Sequence, residues 1–169
     1  MITKSLSKSK CCSDSETNGI SLTELLVAMA ILGILSSIAL PNYMNQMRRT
    51  RQRETETIVS QVMIQVAAHS DEYGINAEGW DNLDDIAAVM TDTGTASGGT
   101  FSTITLPGGN YSLDIKGPSG NDYIVTATPT DTNSSTFNVL GCINVSTGAS
   151  NIQAGDSTTA AVEADLTCP

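Results

Sequence analysis

A continuous apolar segment near the N-terminus dominates the pattern of hydrophobic and polar positions. It covers residues 20–40, and Glu24 is the only charged side chain in it. An α-helix rises about 1.5 Å per residue, so a helix of this length matches a hydrocarbon core about 30 Å thick. A carboxylate in such a helix costs on the order of 2.5–3.5 kcal/mol at its centre and less near an end. The pattern predicts a membrane-spanning helix in which a further interaction offsets the free-energy cost of the Glu24 carboxylate.

Residues 41–74 are predicted to form an amphipathic helix that follows the apolar one. Their apolar positions recur at steps of three and four, which places them on one stripe, whereas polar residues such as Gln52 fall elsewhere. We expect this helix to run to about Glu72 and to stop at Gly74. Pro41 removes a backbone hydrogen bond and is expected to bend or loosen the helix there. The stripe consists of Ile58, Val59, Val62, Val66, His69 and Tyr73.

Residues 75–169 are predicted to form a globular head. Trp80 and the acids that follow it predict a short helix over 80–90, and the glycine- and threonine-rich stretch after it predicts a loop. Alternating apolar and polar residues then predict antiparallel strands with one buried face over 100–106, 110–116, 122–128 and 137–145. The fold class is therefore α+β, with one long N-terminal helix packed on an antiparallel sheet.

Charge is distributed unevenly along the chain, whose net charge is −10. Beyond residue 70, Lys116 alone opposes 13 carboxylates, so the head repels nucleic acid and direct nucleic-acid binding is not expected. Four basic residues, the arginine cluster, stand directly after the apolar segment. They either end the membrane segment and pair locally with Glu54 and Glu56, or bridge to acids of a neighbouring copy. The arginine cluster consists of Arg48, Arg49, Arg51 and Arg53.

The start of the chain resembles the signature of type IV prepilins. A hydrophilic leader, residues 1–19, ends in Gly19, and Ile20 then opens the apolar run in which Glu24 follows. The leader carries three lysines and lacks the apolar core of a conventional secretory signal. The resemblance is to the type IV pilins and their secretion-system relatives, the pseudopilins. It covers residues 19–53, and within the family the helix resembles cyanobacterial major pilins.

The resemblance implies a role for each residue of the signature. Prepilin peptidase, which is also the methyltransferase, would cut after Gly19 and methylate Ile20, while Glu24 and Pro41 would serve assembly. Two residues depart from the family pattern: Ile20 replaces the usual Phe, and Thr23 stands where an aliphatic residue is commoner. No cofactor is implied.

The resemblance also implies a place in the cell and a set of partners. The precursor would lie in the inner membrane with its N-terminus in the cytoplasm and its head in the periplasm. The inner-membrane pilus assembly machinery would then add it to an extracellular filament made of copies of this chain.

The four cysteines fall into two pairs. Cys11 and Cys12 are expected to be reduced cytosolic thiols that are discarded with the leader. Cys142 and Cys168 are expected to pair in an exported head, as in the disulfide-bounded C-terminal region of type IV pilins; two unpaired thiols are the alternative. They enclose a segment rich in Gly, Ser and Thr. Major pseudopilins tend instead to bind calcium there, but the acids of this segment show no ordered ligand spacing, and no metal site is expected.

No pattern of catalytic residues stands out. The chain has no glycine-rich phosphate loop, no Cys-x-x-Cys pair and no histidine cluster, so an enzyme is not expected. The favoured function is the structural subunit of a type IV pilus. A minor pilin or a type II secretion pseudopilin is the first alternative, and a membrane-anchored binding module that never polymerises is the second. Attachment, twitching motility and DNA uptake are not distinguished.

Overall fold

The structure is a computed structural model that describes residues 19–168. Helix α1, Leu22–Tyr73, has 52 residues, and a short helix α2, Trp80–Asp84, follows it. The strands are β1 (Ile104–Thr105), β2 (Tyr111–Ser119), β3 (Asp122–Pro129), β4 (Val139–Asn144) and β5 (Ser150–Ala154). Single 3₁₀ turns lie at Thr132–Ser134 and Glu163–Asp165. The chain divides into two compact units between Leu40 and Pro41.

The first unit holds the apolar part of α1. All its described residues are exposed, including the large apolar side chains, so this part of the helix has no core of its own. The helix is long and apolar enough to cross a membrane, with a mean hydropathy of 2.1 in its most apolar 18-residue window. A helix that is apolar all round is stable where lipid or other apolar helices surround it.

The second unit is an antiparallel sheet with the rest of α1 packed against one face. The strands follow one another in the order β1-β2-β3-β4-β5, and every neighbouring pair is antiparallel. Register pairs Ile115 with Val125 and Val125 with Gly141, so these residues share the face that α1 covers. On the helix the buried residues are Gln52, Thr55, Val59, Val62, Met63, Val66 and His69. The predicted α+β fold is confirmed.

Gly141 lets α1 approach the sheet closely. A Cβ atom at this position would lie 2.7 Å from Met63 Sδ and 2.7 Å from Val59 Cγ1. The flexible Met63 side chain can move away, but the branched Val59 side chain on a packed helix cannot. The closest helix–sheet contact therefore depends on a residue without a side chain.

Gly141→Ala is expected to lower the free energy of unfolding of the head by about 1–3 kcal/mol, because overpacking a filled core forces side chains and backbone to shift. Guanidinium titration of the full chain in detergent measures the change. Gly99→Ala is the matched control, since a Cβ atom there meets nothing within 4 Å. Equal stability of the two variants would show that α1 is free to move away from β4.

The end of α1 agrees with the sequence prediction, and α2 is shorter than predicted. Gly74 ends α1 with a φ of +69°, and its N–H donates to Ser70 O at 2.9 Å. The predicted helix over 80–90 is wrong beyond Asp84. The chain there turns back on itself, because the Ala96 N–H donates to Val89 O at 2.7 Å.

The sheet differs from the prediction at both edges. β1 has two residues instead of the predicted seven over 100–106. β5 was not predicted, although it pairs with β4 over five register positions. The three central strands, β2 to β4, lie where the alternating pattern placed them.

The helix stripe was correct at four of its six positions. Val59, Val62, Val66 and His69 are buried, whereas Ile58 is half-buried and Tyr73 is 50% exposed. Gln52, placed off the stripe, is buried, a discrepancy that arises because carbonyl groups of the head bind its amide.

Candidate processing and assembly site

Gly19 and Ile20 lie in an exposed, non-helical segment directly before α1. A Cβ atom at Gly19 would meet no atom within 4 Å, so the described fold does not itself require glycine here. The peptide bond between the two residues is therefore open to an enzyme. Residues 1–18, including Cys11 and Cys12, lie outside the described residues.

Glu24 caps the N-terminus of its own helix. The Ser21 N–H donates to Glu24 Oε2 at 2.9 Å, and the Leu25 N–H donates to Ser21 O at 3.1 Å. The Ser21 Oγ lies 2.8 Å from Thr23 Oγ1. This is the carboxylate half of a capping box, and a negative charge in the first turn also interacts favourably with the helix dipole. The Ser-x-x-Glu spacing is the signal that could have predicted the cap.

The side of α1 that carries Glu24 is otherwise apolar. Val27, Ala28 and Ile31 continue this side from Glu24 along the helix. No Lys or Arg occurs in residues 20–40, so the apolar segment itself offers no side-chain cation to this carboxylate. Pro41 lies inside α1, and its predicted effect on the helix stays a prediction.

The arginine cluster is free of ion pairs in the described part of the chain. Arg48 is half-buried, and Arg49, Arg51 and Arg53 are exposed. Of the two interpretations of this cluster, local pairing with Glu54 and Glu56 is not seen, because the one ion pair among residues 19–168 joins Lys116 Nζ to Glu163 Oε2 at 2.9 Å.

Asp131 is a head carboxylate that interacts with Arg48, but its own loop already binds it. The pKa of Asp131 lies below its usual value mainly because the Asn133 N–H and the Ser134 hydroxyl donate to it, and only weakly because of Arg48. Asp156 stands in the same relation to Arg49, since the N–H groups of its own turn lower its pKa most.

The predicted disulfide is confirmed, and it closes a strap over the sheet. Cys142 on β4 is bonded to Cys168, and their Cα atoms are 6.0 Å apart. We call residues 156–168 the C-terminal strap. The bridge sets the position of the strap. Cys142 and its register partners Ile124 and Asn151 lie on the sheet face opposite α1, so the bridge holds the strap on that face.

Contacts beyond the bridge also hold the strap. The Asn138 amide donates to Ala161 O at 2.8 Å, and the Ala161 N–H donates to Asn138 Oδ1 at 2.8 Å. The Gln153 amide donates to Asp165 O at 2.9 Å, and the Asn151 amide donates to Thr167 O at 3.4 Å. Lys116 on β2 binds Glu163, which raises the pKa of the lysine. The strap is therefore bound to β2 and β5 as well as to β4.

Other polar groups of the head have structural roles. His69 is buried with its ring centroid 4.8 Å from that of Tyr73, as expected for a residue at the core. Gln52 Nε2 donates to Gly155 O at 2.7 Å and to Asn138 O at 3.3 Å. Among residues 19–168, no group of three or more His, Cys, Asp or Glu side chains is arranged to hold a metal ion.

These features define a class of protein: a head with a sheet and a disulfide, carried on a single apolar helix that fits insertion in an inner membrane. Residues 15–40 match the family described as the prokaryotic N-terminal methylation motif, which is characteristic of type IV pilins. The motif supports a prepilin similar to type IV pilins and pseudopilins, which are structural rather than enzymatic. No curated protein and no solved structure matches the chain.

Proposed function

We propose that this chain is the structural subunit of a type IV pilus. The observation that carries the proposal is the methylation motif on an apolar segment, residues 20–40, whose side chains are all exposed. Such a surface needs lipid or neighbouring helices to cover it. The disulfide-closed strap favours a pilin over a secretion pseudopilin, which shares the early steps.

The proposed sequence of events begins in the inner membrane, with the N-terminus in the cytoplasm and the head in the periplasm. Prepilin peptidase cuts after Gly19 and methylates the new amine of Ile20. The assembly machinery then moves the subunit sideways out of the bilayer into a helical filament. Neighbouring apolar helices replace lipid, so close packing and polar pairing select the register, and not the hydrophobic effect alone.

Glu24 changes partner in this proposal. In the membrane it lies within about one turn of the mature N-terminus, where headgroup water reaches it, and it accepts the Ser21 N–H. In the filament core it is desolvated and binds the methylated amine of Ile20 on an adjacent subunit. A buried pair of this kind adds little net stability but penalises misregister, since a shifted subunit leaves both charges unpaired.

Mature protein in isolated fibres is expected to begin at Ile20 and to carry a methyl group on its amine. N-terminal mass spectrometry of sheared fibres measures this. Gly19→Val is expected to leave the precursor uncut in the membrane and to prevent fibres. Because the fold leaves open space at Gly19, such a loss reports on the peptidase rather than on folding.

Fibres whose subunits retain residues 1–19 would contradict the proposed processing. A wild-type strain that exports the head but forms no fibre would contradict the filament itself.

A further inference from the structure

Two residues of the arginine cluster, Arg48 and Arg51, have no role in the proposed pairing of Glu24. Arg48 and Arg51 continue, toward the N-terminus, the stripe of α1 that Thr55 and Val59 begin at the sheet. Neither guanidinium makes an ion pair in the part of the chain that the structure describes. Asp131, on which Arg48 acts only weakly, accepts hydrogen bonds from the Asn133 N–H and the Ser134 hydroxyl.

The other end of the same helix carries acids where the helix dipole disfavours them. Asp71 and Glu72 lie in the last turn of α1, which holds no basic residue. The C-terminal end of a helix carries partial negative charge, so each carboxylate there is destabilising unless a cation neutralises it. Both side chains are exposed and unpaired among the described residues. A cation next to them would relieve this unfavourable interaction, and none pairs with them among residues 19–168.

The spacing along α1 relates the two groups. Asp71 follows Arg51 by 20 residues and Arg48 by 23, which is about 30–35 Å along the helix. No side chain spans that distance, so the groups cannot pair within one subunit. These separations are also about five and a half and six and a half turns, which places the arginines and Asp71 on opposite sides of α1.

In a head-to-tail contact between two parallel copies, the arginine side of one α1 helix can face the Asp71 side of the other. When such helices lie next to one another, one side of the first faces the other side of the second, and the same contact repeats along a filament. The side of α1 that carries Asp71 faces away from the sheet of its own head. A copy displaced along the axis can therefore place Asp71 against the arginines just beyond the sheet of its neighbour.

We propose that Arg48 and Arg51 of one subunit bind the Asp71 carboxylate of a second copy of this chain, displaced by about 30 Å along α1. The inference rests on the proposed filament and adds a second charge pairing to that of Glu24. The contact sets the axial step between these two copies, because it forms at one displacement only. Arg53 supplies a control within the cluster, since it precedes Asp71 by 18 residues, about five full turns, and lies on the same side.

The test compares fibre yield from four full-length variants with wild type. Arg51→Glu and Asp71→Arg are each expected to lower the yield by about tenfold or more, because like charges juxtaposed at an interface cost several kcal/mol. The double variant Arg51→Glu with Asp71→Arg is expected to restore most of the yield. Arg53→Glu makes the same charge change two residues away and is expected to assemble normally. Melting of the detergent-solubilised subunits verifies that all four fold.

A cross-linking experiment tests the contact without reversing any charge. Fibres of the variant Arg51→Cys with Asp71→Cys, treated with a short bismaleimide, are expected to yield a ladder of linked subunits. The pair Arg53→Cys with Asp71→Cys is expected not to. Because the two positions in one subunit are about 30 Å apart, every link joins two copies.

The outcomes separate the inference from the function on which it rests. Wild-type fibres together with normal yield from Arg51→Glu, or with no ladder, would overturn the inference and leave the filament standing. A lower amount of the Arg51→Glu subunit in the membrane, rather than a defect confined to fibre assembly, would overturn the inference and indicate lipid phosphates as the arginine ligand. Absence of wild-type fibres would overturn both.

Discussion

Glu24→Ala is expected to leave the subunit in the membrane and to reduce fibre yield by about a hundredfold or more, since loss of one partner of a buried ion pair costs about 3–5 kcal/mol. The Ile20 amine would then be buried in the filament without its counter-charge. Insertion should be unaffected or favoured, because the variant removes the one charge of the apolar segment. The measurement compares sheared fibres with membrane-bound subunit.

Glu24→Gln separates the charge from the helix cap. Its amide oxygen can still accept the Ser21 N–H, so the cap is retained while the charge is lost. We expect it to assemble as poorly as Glu24→Ala. Glu54→Gln makes the same chemical change at an exposed, unpaired residue outside the apolar segment and is expected to assemble normally. Normal fibres from Glu24→Gln alone would show that the cap, and not the charge pair, is what assembly requires.

Cys142→Ser is expected to lower the free energy of unfolding of the head by about 3–4 kcal/mol, the chain-entropy value for a loop of this length. The bridge spans a sequence separation of 26 residues. Without it the strap is held by hydrogen bonds, such as the two between Asn138 and Ala161, and by the exposed Lys116–Glu163 pair. Surface ion pairs of this kind contribute little to stability. Leu140, which is buried on β4, would then become accessible as the strap opens.

Thermal unfolding of the full chain in detergent and limited proteolysis of residues 156–168 measure this loss. The control is Cys11→Ser with Cys12→Ser, which makes the same chemical change in the proposed leader and is expected to leave head stability unchanged. Alkylation of Cys142 and Cys168 in the wild type without prior reduction, or an unchanged melting temperature in Cys142→Ser, would contradict the structural role of the bridge.

The edges of the sheet show where sequence reasoning ends. The central strands have alternating apolar residues that face α1, so their period was visible. β5 has one large apolar residue, Ile152, and forms because the free edge of β4 offers its backbone groups. That template lies elsewhere in the chain, and local composition does not reveal it.

Gln52 shows the same limit at a single residue. Its periodicity placed it off the apolar stripe, yet its amide is buried because it donates to carbonyl groups 86 and 103 residues away. A buried polar side chain is acceptable only where partners satisfy it. Those partners are assembled by the fold, so a rule based on polarity alone excluded this residue from the core.

The sequence by itself determined the features that depend on neighbours along one helix: the apolar segment, its single carboxylate, the methylation motif and the end of α1 at Gly74. Such features are local, because 20–50 residues of helix place their side chains by a fixed rise and turn. Only the tertiary structure decided which strands the strap contacts, the pairing of β5 and the absence of ion pairs in the arginine cluster among residues 19–168. Each of these depends on which backbone and charged groups remain unpaired after distant segments have packed together.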